Sequence, residues 1–268
     1  MRNLAQRAGD LLNSIRESRP VIHSITNFVV MNSTANVLLA MGAAPIMAHA
    51  LEEIDHISAI SNALVINIGT LSKPWIESMN FAARLARIAG KPFVLDPVGS
   101  GATKLRTDTA CEIARFSTPT AIRGNASEIL SLSHFGAQTR GVDSINTTEE
   151  AMEEAKLLAK SLKNVIAVTG VKDYITDGTR DIIITGGSPL MARVTGTGCA
   201  ASVIVAAFLA VEKDALVATA SALAFFKVVA EKAAIQAQGP GSFWIHVLDE
   251  LHNVTPEEFQ LKARIEVA

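Results

Sequence analysis

The chain has 268 residues, 49% of them apolar and 5% aromatic, with two cysteines and a formal net charge of −2. That balance gives no electrostatic case for nucleic acid, because no basic stripe with interleaved aromatics is present. Cys111 and Cys199 are too few and too far apart for a disulfide framework or a cysteine metal site, which points to a reducing, cytoplasmic setting.

In chain order, residues 1–20 mix arginines, acids and leucines without the apolar core of a signal peptide, and predict an amphipathic surface helix. From there β-rich runs at 21–26, 45–48, 63–69, 92–97, 120–124 and 165–169 alternate with helical stretches. The helices are predicted near 33–41, 53–60, 73–89, 107–115, 126–132 and 148–162. Such alternation implies βαβ units and a mostly parallel sheet flanked by helices, in keeping with a core of Ala, Val, Ile and Leu. Three close-spaced runs follow at 174–177, 180–185 and 191–195, joined by Asp177-Gly178 and Gly186-Gly187. They predict antiparallel hairpins at the sheet edge. Helices are then expected at 198–211, 215–238 and 242–251. The apolar run 199–211 is shorter than the ~20 residues that a bilayer requires, so with the next helix it reads as a buried helical hairpin. Pro256 and the charged tail predict a closing turn and helix. No linker or repeat divides the chain, so 1–268 is expected to form a single domain.

Ligands of open α/β sheets bind beyond the carboxyl ends of the strands. Asn27, Asp96, Arg123 and Thr169 all fall at such ends. Asp96 before Pro97 is an ordinary turn residue, but an acid closing a very apolar strand also needs a partner, and a hydrated metal ion is one candidate. Glu128, three residues after Asn125, either completes a helix capping box or supplies a second carboxylate beside Asp96. The turn Val194-Thr195-Gly196-Thr197-Gly198-Cys199 enters an apolar helix. The free amides of Gly196, Thr197 and Gly198 then make an anion hole, and the field there favours the Cys199 thiolate. Two carboxylates, an arginine, a threonine and a helix-start anion site are the inventory for nucleotide phosphoryl transfer with Mg2+ held by Asp96 and Glu128. No Walker loop or Gly-x-Gly-x-x-Gly turn is present. Met47 and Cys111 are also readable as core, and His23, His49 and His56 as structural histidines.

The Asn125-Ala126-Ser127-Glu128 pattern and the Gly196-Thr197-Gly198 turn resemble those of the ribokinase-like superfamily. More specific segments resemble the hydroxyethylthiazole kinases of thiamine salvage. These are Ile25-Thr26-Asn27-Phe28-Val29-Val30-Met31-Asn32, the stretch from Gly42 to His49, and the stretch from Leu95 to Thr103. Thr197-Gly198-Cys199 completes the set. The resemblance implies a three-layer α/β fold without a separate lid, a homotrimer with active sites at subunit interfaces, and ATP-dependent phosphorylation of the alcohol of hydroxyethylthiazole. It puts Met47 and Gly196 on thiazole-binding positions, Arg123 and Thr169 on ATP-binding ones, Asn27 near the phosphates, and Asp96 and Glu128 on magnesium, partly through water. Cys199 stands where the wider superfamily has an aspartate base, and is expected to orient the hydroxyl and assist weakly. Two other functions remain open at this point: a nucleotide-dependent NAD(P)H-hydrate dehydratase, which shares the scaffold but carries Asp in place of Cys199, and a non-catalytic sensor of thiazole or nucleotide.

Overall fold

The computed structural model describes residues 4–133 and 148–268. The N-terminal helix is observed as α1 (Leu4–Ser18), which buries Ala8, Leu11, Leu12 and Ile15 at helical spacing. The alternation then runs as expected. β1 (Val21–Ile25), α2 (Met31–Met41), β2 (Ala44–Ile46), α3 (Ile54–Ile60), β3 (Ala63–Asn67), α4 (Lys73–Ile88), β4 (Phe93–Asp96), α5 (Lys104–Ser117) and β5 (Ala121–Gly124) come first. They are followed by α6 (Ala126–Ser133), α7 (Thr148–Leu162) and β6 (Val165–Val168). These six strands are parallel. β7 (Asp173–Thr176) and β8 (Asp181–Ile184) add an antiparallel hairpin, and β9 (Ile265–Val267) pairs antiparallel with β8. Among the described residues the sheet has nine strands in the order β2-β1-β3-β4-β5-β6-β7-β8-β9.

Side chains alternate between the two faces with the period of two that a strand imposes. Ile22, Val65, Val94, Ala121, Ala167, Ile175 and Ile182 join one core cluster with residues of α1, α2, α8 (Thr197–Leu209), α9 (Ala215–Gln236) and α10 (Pro240–Asn253). Ile25, Leu64, Ile66, Phe93, Leu95, Ile122, Ile166 and Val168 join the other, under α4, α5 and α7. Each fully buried side chain of this size contributes about 1.5–3 kcal/mol, so two such layers hold the sheet firmly. The predicted hairpin of long helices is present: α8 is buried from Ala200 to Leu209, and α9 is buried along most of its length. Among the described residues no helix is long and apolar enough to cross a membrane.

Two expectations fail at the antiparallel edge. Residues 191–195 are not a strand: Pro189–Arg193 forms a short 3-10 helix, started by Ser188 Oγ accepting from the Leu190 amide. Pro189 removes an amide donor and fixes φ at this helix start, which the apolar spacing alone conceals. The third antiparallel strand comes instead from the tail, where α11 (Pro256–Lys262) hands over to β9. α5 also begins earlier than predicted, at Lys104, because Thr103 Oγ1 caps it through the Arg106 amide.

Candidate active site

Asp96 ends β4 and is fully buried, so its charge has to be answered by the protein. Asn67, its register partner at the end of β3, donates Nδ2 to Asp96 Oδ2 at 2.8 Å, and Ser202 of α8 donates to the same oxygen at 2.8 Å. Oδ1 has no hydrogen-bond partner and lies 3.6 Å from Nη1 of Arg123. Burial pushes the Asp96 acid up to about 6, against the pull of Arg123; the nearby Glu128 charge adds to the rise, while the Ser202 and Asn67 hydrogen bonds hold it down.

Arg123, on β5, donates Nη2 to Thr169 Oγ1 at the end of β6, and its buried Nε has no partner. The guanidinium also rests on the first turn of α8: a Cβ on Gly198 would stand 2.8 Å from Nη1, so a larger residue there would push the guanidinium aside. Gly196 is the N-cap residue of that helix at φ 87°, a left-handed conformation, and gives no side-chain cap. The Thr197 hydroxyl turns back to the Met191 carbonyl at 2.8 Å, leaving the first-turn amides to whatever anion enters. The predicted helix start is therefore present, with an arginine laid against it.

Glu128 does form the capping box. Asn125 N donates to Oε2 at 2.8 Å while Glu128 N donates to Asn125 Oδ1 at 2.9 Å. Its other oxygen accepts from Gly99 N at 2.9 Å, tying the turn after Asp96 to the start of α6. The capping-box reading of the Asn125/Glu128 spacing is thus the one observed, with Glu128 close enough to Asp96 for its charge to be felt there. Each carboxylate oxygen keeps a further lone pair for a bound water.

Cys199 lies in the first turn of α8, with Asn27 Nδ2 at 3.8 Å from Sγ. Asn27 Nδ2 also donates to Asn67 Oδ1 at 2.8 Å, so a line of amides runs from the thiol to Asp96. The expected thiolate is not what this setting favours. Burial pushes the thiol up to about 11 and the Asp96 charge adds to the rise, outweighing the amides of Asn67 and Asn27 and the charge of Arg123. At neutral pH Cys199 is a weak donor, not a base. Cys111, buried in α5, is likewise pushed up to about 11, as a core thiol. Iodoacetamide at pH 7 is therefore expected to modify the native chain far more slowly than the unfolded one, with the rate rising only above about pH 10. Rapid labelling of Cys199 at pH 7, read by mass spectrometry, would contradict the neutral thiol.

Met47, half-buried, follows β2 directly, and Asn27 follows β1 by two residues, so both stand at the same carboxyl mouth as Asp96, Arg123 and Thr169. The mouth has two wings. Asn27, Met47 and Asn67 lie on β1–β3, and Arg123 and Thr169 on β5–β6, with Asp96 and the start of α8 between them. His23 Nε2 donates to the Ala48 carbonyl at 2.9 Å and is buried, while His49 packs against Trp75. Among the described residues no group of three or more His, Cys, Asp or Glu side chains is placed to hold a metal ion. Sequence reasoning missed Asn67 and Ser202. A polar residue closing the all-apolar run from Ala63 to Ile66 was the available signal for Asn67; Ser202, inside an apolar helix, offered none.

A sequence model of the hydroxyethylthiazole kinase family matches residues 12–257. The hydroxyethylthiazole kinase of Desulfotalea psychrophila is 50% identical, over 99% of this chain and 97% of its own. That of Pyrococcus furiosus is 48% identical, over 97% of each. The solved structure of a hydroxyethylthiazole kinase from Pyrococcus horikoshii superposes with a TM-score of 0.92 at 41% identity, covering 98% of this chain and 99% of that one. A pyridoxal kinase from Staphylococcus aureus, in complex with AMP-PCP, shares the fold at a TM-score of 0.60 and 15% identity, over 80% and 88% of the two chains.

Proposed function

The chain belongs to the hydroxyethylthiazole kinase family, and on that basis we propose that it transfers the γ-phosphoryl group of ATP to the hydroxyl of 4-methyl-5-(2-hydroxyethyl)thiazole, a step of thiamine salvage. The observation that carries this is a buried carboxylate and guanidinium, Asp96 Oδ1 3.6 Å from Arg123 Nη1, with Oδ1 and Arg123 Nε both lacking a hydrogen-bond partner, beside the open first turn of α8. A loose phosphoryl-transfer transition state needs charge neutralised and partners aligned more than it needs a base. Arg123 and the α8 amides meet the charge of the transferring group, and Thr169 holds the guanidinium in place. Cys199 orients the acceptor hydroxyl, with Asn27 beside it toward the phosphates, and the thiazole ring lies on the Met47 and Gly196 side.

An orphaned, buried carboxylate oxygen at a strand end, with Glu128 in the first turn of the neighbouring α6, is a hard-oxygen donor set that fits Mg2+. Asp96 would hold the ion, Glu128 would hold it through water, and the ion would neutralise the β- and γ-phosphate charge.

We further infer one domain over residues 1–268, a cytoplasmic location in keeping with two free cysteines, and a homotrimer with sites between subunits. Phe28 and Val29, 68% and 64% exposed beside Asn27, make an apolar rim suited to a partner subunit.

Purified protein assayed with ATP and the thiazole alcohol should release ADP only when both the alcohol and Mg2+ are present. Light scattering of the same sample should return three times the chain mass. ADP release indifferent to the alcohol, ATP-dependent dehydration of a nicotinamide hydrate, or tight binding without turnover would overturn the kinase assignment. A Cys199→Ala protein is expected to fold and turn over more slowly, and Cys199→Asp to keep activity or exceed it.

A further inference from the structure

Lys227 is the only charged residue between Ala215 and Ala230 of α9, and its side chain is 7% exposed. Its Nζ donates to the carbonyls of Gly170 at 3.2 Å and Val171 at 3.1 Å, reaches that of Gly186 at 3.5 Å, and lies 3.3 Å from Asp173 Oδ1. Asp173 Oδ1 in turn accepts from Gly170 N at 3.0 Å. One helical turn further on, Glu231 Oε1 accepts from Gly187 N at 3.1 Å, while Arg264 donates to its other oxygen. Two loops are thus fastened to α9 by one face of that helix.

A buried ion pair is poor value as a stabiliser, since an apolar pair of equal volume commonly does as well. Its position is more telling. Because β7 runs antiparallel to β6, and β8 to β7, the 169–173 and 185–188 loops both open at the mouth that holds Asp96 and Arg123. The wing over β1–β3 carries Asn27 and Met47, so a nucleotide whose terminal phosphate meets Arg123 has to extend over β6–β8. From β4 to β8 that is about 19 Å at ordinary strand spacing, room for an extended nucleoside triphosphate.

We propose that Lys227, with Asp173, is a positioning residue that holds the 169–173 and 186–187 loops as the wall against which the nucleoside end of ATP lies. This rests on the kinase assignment above and deepens it. The clamp sets where the Gly170, Val171 and Gly186–Gly187 backbone stands, and plays no part in the chemistry.

The test compares wild type, Lys227→Met and Lys227→Met/Asp173→Asn. The single variant should raise KM for ATP roughly tenfold or more, with KM for the thiazole alcohol and kcat within about threefold of wild type. It should also melt lower, because Asp173 loses the cation in contact with it and keeps only the more distant charge of Arg123. The double variant, free of that under-compensated anion, should regain thermal stability while KM for ATP stays high. An unchanged KM for ATP, a parallel rise of both KM values, or a double variant that recovers nucleotide affinity together with stability would each overturn the clamp. Should Lys227→Met fail to fold, the double variant decides alone. Wild-type turnover tests the kinase assignment separately, and calorimetric titration of ATP into the variants without thiazole decides the clamp whichever alcohol is used.

Discussion

An Asp96→Asn protein is expected to lose about 10²–10³-fold in kcat and yet to melt higher than wild type at pH 7. The activity loss follows from removing the charge on Oδ1, the Asp96 oxygen without a hydrogen-bond partner. The stability gain follows from linkage. The folded acid sits at about 6, above its ordinary 3.8, so the native state binds its proton more tightly than the unfolded chain does. This group's contribution to stability is therefore intact below about pH 4 and falls as pH rises through 6, by about 3 kcal/mol. Asparagine keeps the acceptor for Asn67 and Ser202 without that loss, although its amide N–H2 facing Arg123 takes back part of the gain. Thermal melts without nucleotide at pH 4.5 and pH 7 should show the wild type losing ground between the two while the variant does not, with a rise of a few degrees at pH 7. A variant with wild-type kcat, or one less stable at both pH values, would refute this account of Asp96.

Arg123→Met should be the more damaging change, lowering kcat by about 10³-fold or more and also destabilising the fold. The guanidinium is the only cation in the structure paired with Asp96, at 3.6 Å among the described residues. Stripping one partner from a buried pair costs about 3–5 kcal/mol when the other stays charged. Here Asp96, relieved of Arg123, is pushed further up and takes a proton near neutral pH, which holds the cost toward the lower end. Combining Arg123→Met with Asp96→Asn should restore most of the denaturant midpoint and none of the turnover, a non-additivity that a double-mutant cycle measures. Turnover of Arg123→Met within tenfold of wild type, or strictly additive stability effects, would show that the pair is not the centre of the site.

How far the sequence discloses all this depends on whether the deciding contact is local. Asp96, Arg123 and Thr169 were legible because each closes a short apolar strand, and the strand–helix rhythm alone puts strand ends on a common edge. The start of α8 was legible from its two glycines. Asn67 and Ser202 gain their meaning only when β3 lies in register with β4 and α8 crosses above, contacts separated by 29 and 106 residues. The same distance hid β9, whose partner β8 lies some eighty residues earlier. The protonation of Cys199 depends on the same kind of distance. The helix start that favours a thiolate is visible in the chain, whereas the burial and the Asp96 charge that oppose it belong to the assembled mouth.

The split of the mouth into an acceptor wing and a donor wing carries an evolutionary consequence. On the proposed reading, phosphate is handled by β4–β6 and the first turn of α8, while the ring presented to it rests on the segments after β1 and β2. On that reading, exchange of one alcohol for another falls mainly on residues 26–50 and the Gly196 turn, leaving Asp96 and Arg123 untouched. A lineage built this way diversifies its metabolites by retailoring a single corner of the fold.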